Sequence, residues 1–311
     1  MDKGVLIVGS INHDSIYNVE HLPRPHETVP ASRFTTAPGG KGANQAAACA
    51  LATDRPVHML GCVGTDMHGA YCMSYLESQR VDISRIIRQD ALPTGTACIL
   101  VDAVGDNLII VAAGANGGMT PAHISEARDL FVASEIVLAQ LETLLDTVQA
   151  CLEQARELGK MSILNPAPFV AGAESLVPLA DLITPNQTEA SSLTGIEVEN
   201  EAGARKAAEA LLEMGAQNVI VTLGHHGSLV ATQTETSYVP AYRIETVVDT
   251  SGAGDVYNGA LAGALSDGAS LFDAVDFASA AAAMSVQKPT ASHCAPTRDE
   301  ALAFMTSRRA S

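Results

Sequence analysis

Short apolar runs that close on polar or glycine-rich turns recur along the chain. Residues 5–8 form the first and end in Gly9-Ser10. Residues 57–63 form another. From Pro121 the pattern becomes regular. Apolar runs at 136–139, 161–164, 181–184 and 218–222 alternate with helical stretches at about 121–132, 145–158 and 201–214. A short, continuous apolar run belongs to a strand covered on both faces. Strands alternating with helices predict a parallel sheet with helices on both sides. The chain is therefore expected to be an α/β protein, a three-layer sandwich around a mainly parallel central sheet. An apolar extended run at 242–248 leads toward an Ala/Gly/Leu-rich helix near 253–266. Helices near 271–287 and 297–308 close the chain.

Two segments break this rhythm. Residues 15–38 carry Pro23, Pro25 and Pro30 and only loose alternation, as in Tyr17-Asn18-Val19, so irregular strands are expected there. Residues 94–101 and 107–112 are rich in β-branched side chains and flank Gly105-Asp106-Asn107, a hairpin turn. Both segments are placed in one small accessory sheet covering about 13–38 and 94–113. Between them, Gly64-Thr65-Asp66-Met67-His68-Gly69 caps a helix that runs to about Arg80. No shift in composition marks a linker, and no repeat or low-complexity tract is present. Residues 1–311 are read as one domain.

Composition narrows the functions. Hydrophobic residues are 47% of the 311, enough for a sizeable core. The net charge of −17, from 35 acidic and 18 basic residues, argues against nucleic acid and anionic membranes as partners. It leaves phosphate ligands open, because backbone dipoles and a metal hold them locally. No apolar run approaches membrane-spanning length, and the one near the N-terminus is too short for a signal peptide. Six cysteines lie scattered without a CxxC spacing. They read as reduced thiols packed as small apolar residues, in the cytoplasm.

Candidate chemistry gathers where the strands end. Four consecutive strands run into Gln140-Leu141-Glu142, Asn165-Pro166-Ala167-Pro168, Pro185-Asn186-Gln187-Thr188-Glu189 and Leu223-Gly224-His225-His226-Gly227. In a parallel sheet these ends share one edge, the edge where open α/β sheets bind ligands. Ile11-Asn12-His13-Asp14 follows the first strand to the same edge. Asn12 and Asp14 there suit either adjacent ligand hydroxyls or an ordinary turn. Two glycine-rich turns open Ala-rich helices. In the first, Gly39, Gly40 and Gly42 let backbone approach a ligand, and Lys41 and Asn44 offer polar groups. The Walker A spacing is absent. In the second, Gly252, Ala253 and Gly254 begin a helix whose first N–H groups lack intrahelical partners, a place that holds anions. Asp255 would repel a phosphate there unless its task is to take a proton. Phosphorylation of a hydroxyl needs that combination of anion donors and a base. Alone, such a turn is more often a plain glycine-rich helix start.

Gly39-Gly40-Lys41-Gly42-Ala43-Asn44-Gln45 and Asp249-Thr250-Ser251-Gly252-Ala253-Gly254-Asp255, in this order, resemble the two signatures of the ribokinase family of carbohydrate kinases. The likeness runs from Gly9 to about Pro296, and Gln140-Leu141-Glu142, Asn165-Pro166-Ala167-Pro168, Thr184-Pro185-Asn186 and Thr222-Leu223-Gly224 share it. It implies ATP-dependent phosphorylation of a pentose, D-ribose to D-ribose 5-phosphate first. The alternative is another sugar, of the deoxyribose or fructose type, or a nucleoside. A non-catalytic sugar binder is disfavoured, since a pure binder has no reason to keep a base in an anion hole.

The resemblance also implies roles. Asn12, Asp14, Gly40, Lys41, Asn44 and Glu142 would hold the sugar hydroxyls. Asp255 would be the base at O5, and Gly252, Ala253 and Gly254 the anion hole. Asn186, Thr222, Gly224, Gly227, Gly254 and Ser279 would contact ATP. Glu189 would help place Mg2+ through water. Asp249, Ser251, Ser285, Lys288, Thr290 and Cys294 would surround a monovalent cation, K+, mostly with carbonyl oxygens. The accessory sheet would cover the sugar as a lid and form a homodimer.

Three places depart from the family pattern. Ser279 stands where His or Asn is frequent near the adenine. Thr290-Ala291-Ser292-His293-Cys294 replaces Gly-Ala-x-x-Ser in the cation loop. A β-branched Thr290 is strained if that backbone needs a positive φ, and a thiol is a poor ligand for an alkali cation. His225-His226 occupies a variable turn and reads as loop surface rather than metal ligands. Glu142, at a strand end, is equally readable as a helix cap.

Overall fold

A computed structural model describes residues 3–309. Its first half contains β1 (Gly4–Val8), β2 (Asn12–Val19), β3 (Ala31–Gly39), α1 (Lys41–Ala52), β4 (Val57–Leu60), β5 (Cys62–Gly64), α2 (Met67–Ser78), β6 (Val81–Asp82), β7 (Ile87–Gln89), β8 (Gly95–Val101) and β9 (Asn107–Ala112). Its second half contains α3 (Pro121–Glu126), α4 (Arg128–Ala133), β10 (Ser134–Ala139), α5 (Leu145–Glu157), β11 (Met161–Leu164), β12 (Leu182–Ile183), α6 (Gln187–Thr194), α7 (Glu201–Glu213), β13 (Asn218–Thr222), β14 (Gly227–Thr232), β15 (Thr236–Pro240), α8 (Ala253–Ser266), α9 (Leu271–Ser285) and α10 (Arg298–Arg309).

The central sheet runs β15-β14-β13-β12-β11-β10-β1-β4-β6. Every pair from β13 to β6 is parallel, and only β14 runs against its neighbours. The two-residue period of a strand divides its side chains between two cores. Val5 and Ile7 of β1 and Ile136 and Leu138 of β10 join one cluster, with α1, α2, α8, α9 and α10. Leu6, Val8, Val137 and Ala139 join the other, under α3 to α7. All five residues of β1 are buried, which is why its sequence shows no alternation. The three-layer expectation holds.

The accessory segments form a second sheet, β3-β2-β8-β9, with β2 and β8 parallel and the outer pairs antiparallel. Its strands are more regular than expected. β2 and β3 pair from Asn12↔Gly39 to Val19↔Ala31 with one register shift, after Asn18.

Several sequence expectations need correction. The run at 57–63 is two strands in two sheets, because Gly61 passes against Gly9, where a Cβ would lie 2.8 Å from the Gly9 carbonyl oxygen. β4 stays in the central sheet while β5 pairs with β7. The helix expected at 121–132 breaks at Ala127 into α3 and α4. Helix α6 and the hairpin of β14 and β15 form where the sequence pattern predicts no element. Conversely, 242–248 forms no strand. Its Tyr242 hydroxyl donates to Asp276 at 2.8 Å. Val247 and Val248 stay more than half exposed.

One packing contact sets up the site. Gly259 and Gly263 of α8 lie against α1. A Cβ on Gly259 would sit 2.7 Å from Ala48 Cβ, and one on Gly263 would sit 3.0 Å from Ala52 Cβ. The missing side chains let the two helices approach closely and side by side. Their glycine-rich N-termini, two hundred residues apart in sequence, thereby meet at the strand-end edge of the sheet.

Candidate active site

The N-terminus of α1 follows directly from β3. Gly40 takes φ 87°, a conformation that favours glycine, and Gly39 lies against the Asp14 carboxylate, where any Cβ would collide with both oxygens. The first N–H groups of α1 are satisfied from elsewhere in the chain. Lys41 N donates to Glu142 Oε2 at 3.0 Å, Gly42 N to Ser10 Oγ at 3.3 Å and Ala43 N to the Ser10 carbonyl at 2.9 Å. Ser10 Oγ also donates to Glu142 Oε2, at 2.5 Å. Glu142 is thus a cap, but for a helix a hundred residues earlier.

Asp255 lies in the first turn of α8 and is 5% exposed. Asn44 Nδ2 donates to its Oδ2 at 3.1 Å, and Gln45 Nε2 to its Oδ1 at 3.0 Å. Gln45 also donates to Asn165 Oδ1 at 3.0 Å and accepts from Gln140 Nε2 at 2.6 Å. Neutral amides therefore hold and aim the carboxylate, which has no direct ion pair among the described residues. Sequence reasoning missed Gln45, Gln140 and Asn165 as supports of Asp255; Gln140 and Asn165 stand at strand ends on the ligand edge, and Gln45 in the first turn of α1.

The charge around Asp255 is lopsided. Lys41 is pushed above its ordinary pKa, mostly by Asp255 and further by Glu142 and Glu189, against the opposing effect of burial. Asp14 is pushed up to about 7, first by burial and then by Glu142 and Asp255. Asp14 Oδ1 and Asn44 Oδ1 are buried acceptors without a partner among the described residues. Such atoms are costly to bury unless a ligand donates to them. Beside them, Asn12 Oδ1 accepts from Asn116 Nδ2 at 2.8 Å. Asn116 also bonds the Ile11 backbone in both directions, at 2.9 and 3.2 Å. It fixes the entry to β2, and sequence reading missed it because the glycine-rich 114–118 stretch matches no motif.

The N-terminus of α8 is built differently. Gly252 caps it with φ 76° and no side-chain bond, and a Cβ there would lie 2.6 Å from Ala291 Cβ. Gly254 and Asp255 have no acceptor for their N–H groups among the described residues. Next to this terminus opens a cavity of about 670 Å3, lined by Thr222, Gly224, Gly227, Gly254 and Ser279, all expected to contact nucleotide. Tyr242 and Val247 line it too, so the apolar 242–248 segment borders a cavity rather than a neighbouring strand. His225 lines it as well and lies against His226, with ring centroids 3.9 Å apart and the planes tilted by 41°.

Asn186 adjoins this cavity without lining it: it forms a parallel bridge with Thr222, which does line it. It caps α6 in a reciprocal box: Glu189 N donates to its Oδ1, and Asn186 N and Nδ2 donate to the two Glu189 oxygens, each at 2.9 Å. Burial pushes the Glu189 carboxyl above its usual range.

The residues assigned to the cation bracket this terminus. Asp249 Oδ1 accepts from Ser251 N at 2.8 Å and Oδ2 from Thr290 N at 3.1 Å, tying the two loops together. Thr290 has φ 68°, so the conditional strain expected from the sequence is present. Ser285 lends its carbonyl to Lys288 N at 3.0 Å. The buried Cys294 donates its thiol to the Ala291 carbonyl at 3.1 Å, and burial raises its pKa to about 11.

A carboxylate held by amides beside unpaired helix N–H groups suits phosphoryl transfer, and the relatives of this chain are kinases. The pfkB family of carbohydrate kinases matches residues 2–298. The chain belongs to that family and is a sugar kinase. Within it, the chain is similar to ribokinases. It is 35% identical to the ribokinase of Haemophilus influenzae over 305 residues, 98% of this chain and 99% of that one. It is 36% identical to the ribokinase of Staphylococcus aureus, over 96% and 99%. The ribokinase of Arabidopsis thaliana, solved with ribose and ATP, superposes with a TM-score of 0.92 at 31% identity, covering 98% and 99%.

Proposed function

We propose that the enzyme transfers the γ-phosphoryl group of ATP to O5 of D-ribose. The observation that carries this reading is the pairing of Asp255 with two features: the unpaired N–H groups of its own helix, and the unpartnered oxygens of Asp14 and Asn44. Asp14, Asn12, Asn44 and Glu142 orient the sugar hydroxyls, with Gly40 and Lys41 closing that side. Asp255 takes the proton from O5 as it attacks. The N–H groups at Gly252 and Gly254 stabilise charge on the transferring group, joined by that of Ala253 once it leaves the Thr250 carbonyl, its acceptor at 3.3 Å, and Lys41 offsets the surrounding carboxylates. ATP lies in the 670 Å3 cavity along the Thr222–Gly227 turn, with Ser279 at its wall.

The described residues hold no cluster of three or more acidic, His or Cys ligands. Glu189, a single buried carboxylate, suits Mg2+ bound through water, since that ion keeps several waters and takes further oxygens from phosphates. Bound there, it would neutralise charge between the phosphates. The cation loop suits K+ through its carbonyls, whereas the Cys294 thiol suits it poorly.

We also read residues 1–311 as one cytoplasmic kinase domain with about 13–38 and 94–113 as the lid. The lid supports a homodimer because β9 exposes Leu108, Ile109, Ile110 and Val111, and Phe34 lies open on β3. A second sugar is worth testing, since the deoxyribokinase of Salmonella typhi is also 35% identical, over 83% of this chain. ADP release with ribose, deoxyribose, fructose and adenosine checks the proposal. Ribose is expected to give the highest kcat/KM, and a higher value for any of the others would replace it.

A further inference from the structure

The contacts that aim Asp255 trace back to one position on the central sheet. Thr184 directly follows β12 and is buried. Its carbonyl accepts from Asn165 Nδ2 at 3.1 Å, and its hydroxyl donates to Asn258 Oδ1 at 2.6 Å. Both contacts lead to Asp255, by different routes. Through Asn165 the route passes to the Gln45 amide and ends on the Asp255 carboxylate, at Oδ1. Through Asn258, itself buried in α8, it ends on the backbone. Asn258 Nδ2 donates to the Gly254 carbonyl at 2.8 Å. Neither Thr184 nor Asn258 lines the nucleotide cavity.

The first route fixes the polarity of an amide. A backbone carbonyl only accepts, so Asn165 turns its amino group to Thr184 and its oxygen to Gln45. Gln45 must meet that oxygen with its own amino group, whose two hydrogens go to Asn165 Oδ1 and Asp255 Oδ1. With the Gln45 amide reversed, its oxygen would face the carboxylate and repel it.

The second route fixes a peptide plane. The Gly254 carbonyl and the Asp255 N–H belong to one planar unit and point in opposite directions. Holding the carbonyl therefore aims the N–H, which has no acceptor among the described residues. A carbonyl that accepts a hydrogen bond also polarises its peptide, which makes the N–H a better donor. The Thr184 hydroxyl lies 3.5 Å from the Leu164 carbonyl as well, but its short contact is with Asn258. By donating there it keeps the Asn258 oxygen toward itself and the amino group toward Gly254.

We propose that Thr184 and Asn258 are positioning residues for phosphoryl transfer, with Thr184 as the common anchor that holds the base and the anion-holding peptide of α8 in register. The proposal rests on the reading of Asp255 as the base. The test is steady-state kinetics with ribose and ATP on Thr184→Val, Thr184→Ser, Asn258→Ala and the double variant Thr184→Val/Asn258→Ala. Each is assayed well below its melting temperature, with Asp255→Asn as the control. Thr184→Val keeps the shape and loses the donor. Its kcat is expected to fall about five- to fiftyfold, less than the outright loss of an anion-hole donor would cost. Its sugar KM is expected to stay within about twofold of the parent, because the groups that hold the sugar are untouched. Thr184→Ser restores the hydroxyl and is expected to keep kcat within about threefold. The double variant is expected to be no slower than Asn258→Ala alone, since both changes break one contact. A role confined to stability would lower the melting temperature and leave kcat in place. Normal kcat in Thr184→Val overturns the proposal, as do losses that multiply in the double variant or a sugar KM that rises while kcat holds. If Thr184→Val does not fold, Asn258→Ala decides by the same split between kcat and KM. Near-normal kcat in Asp255→Asn overturns the proposal together with the base assignment, whereas a loss confined to Asp255→Asn overturns the proposal alone.

Discussion

Two helices of this enzyme begin with glycine-rich turns and continue into small residues, yet their N-termini end up in opposite states. At α1 the chain supplies its own acceptors: Glu142 and Ser10 take up the N–H groups of Lys41, Gly42 and Ala43. At α8 no side chain caps the helix, and the N–H groups of Gly254 and Asp255 are left open beside a cavity. An N-terminus attracts anions through unpaired donors and the helix dipole. Occupying the donors with a carboxylate removes that attraction. In the proposed reaction the closed end is the scaffold that would present Lys41 and Asn44 to the sugar. The open end suits the moving phosphoryl group.

The sharpest way to break this comparison is to disarm the open end. Asp255→Asn keeps the shape of the site and removes its base, and kcat is expected to fall by about 10²–10⁴. ATP affinity is expected not to weaken, because a negative charge leaves an anion site. Near-normal kcat would place the base elsewhere.

Matched glycine substitutions come next. Gly252→Ala puts a side chain where φ is 76° and Ala291 is in the way. It is expected to lower kcat by about 10–100-fold with sugar KM little changed. Gly40→Ala, with φ 87° and its Cβ 2.8 Å from Asn12 N, is expected instead to raise the sugar KM. Steady-state kinetics on both variants decides the matter, and the same parameter moving in both would erase the distinction between the two ends.

Glu142→Ala leaves the part-buried N–H of Lys41 without its acceptor. Urea denaturation is expected to show a loss of about 1–3 kcal/mol, together with a raised sugar KM. An unchanged midpoint would mean that the cap at α1 is dispensable.

Asp14 adds a pH signature to the closed side. Its carboxyl is held at about 7 by burial, so it is neutral in the free enzyme below that pH and charged above it. Accepting from two hydroxyls favours the charged form. The sugar KM is expected to fall as pH rises toward 7, by up to about tenfold per unit, and then to level off. For Asp14→Asn a flat, high profile is expected. An unchanged slope would assign the ionisation to another group.

The smallest effect concerns the loop beside the open end. Thr290→Gly relieves a positive φ worth about 1–3 kcal/mol, less the greater freedom that glycine gives the unfolded chain. A net gain of about 1 kcal/mol in thermal unfolding is expected. In KCl titrations at constant ionic strength, Cys294→Ser is expected to reach half-activation at lower concentration than the parent. Full activity without any monovalent metal ion would remove the cation from the proposal.

What the sequence determined was local. Apolar runs without alternation marked strands with both faces covered, and β1, β10, β11 and β13 lie where those runs were. The two glycine turns and the lone acidic residue at position 255 were legible because backbone freedom and side-chain chemistry belong to the residues themselves. Everything that depended on a distant neighbour was decided by tertiary structure. Residues 242–248 look like a strand, but their apolar side chains border a cavity. Gly61 breaks its strand because Gly9 passes beside it. Asn116 matters only because folding sets it against Ile11 and Asn12. Glu142 reads equally as ligand contact or cap until α1 is laid against it. Asp14 has an ordinary carboxyl in the chain and an unusual one in the fold, because burial and two other carboxylates surround it only there. Whether a helix terminus is open or closed is set the same way, by which acceptors the rest of the molecule brings to it.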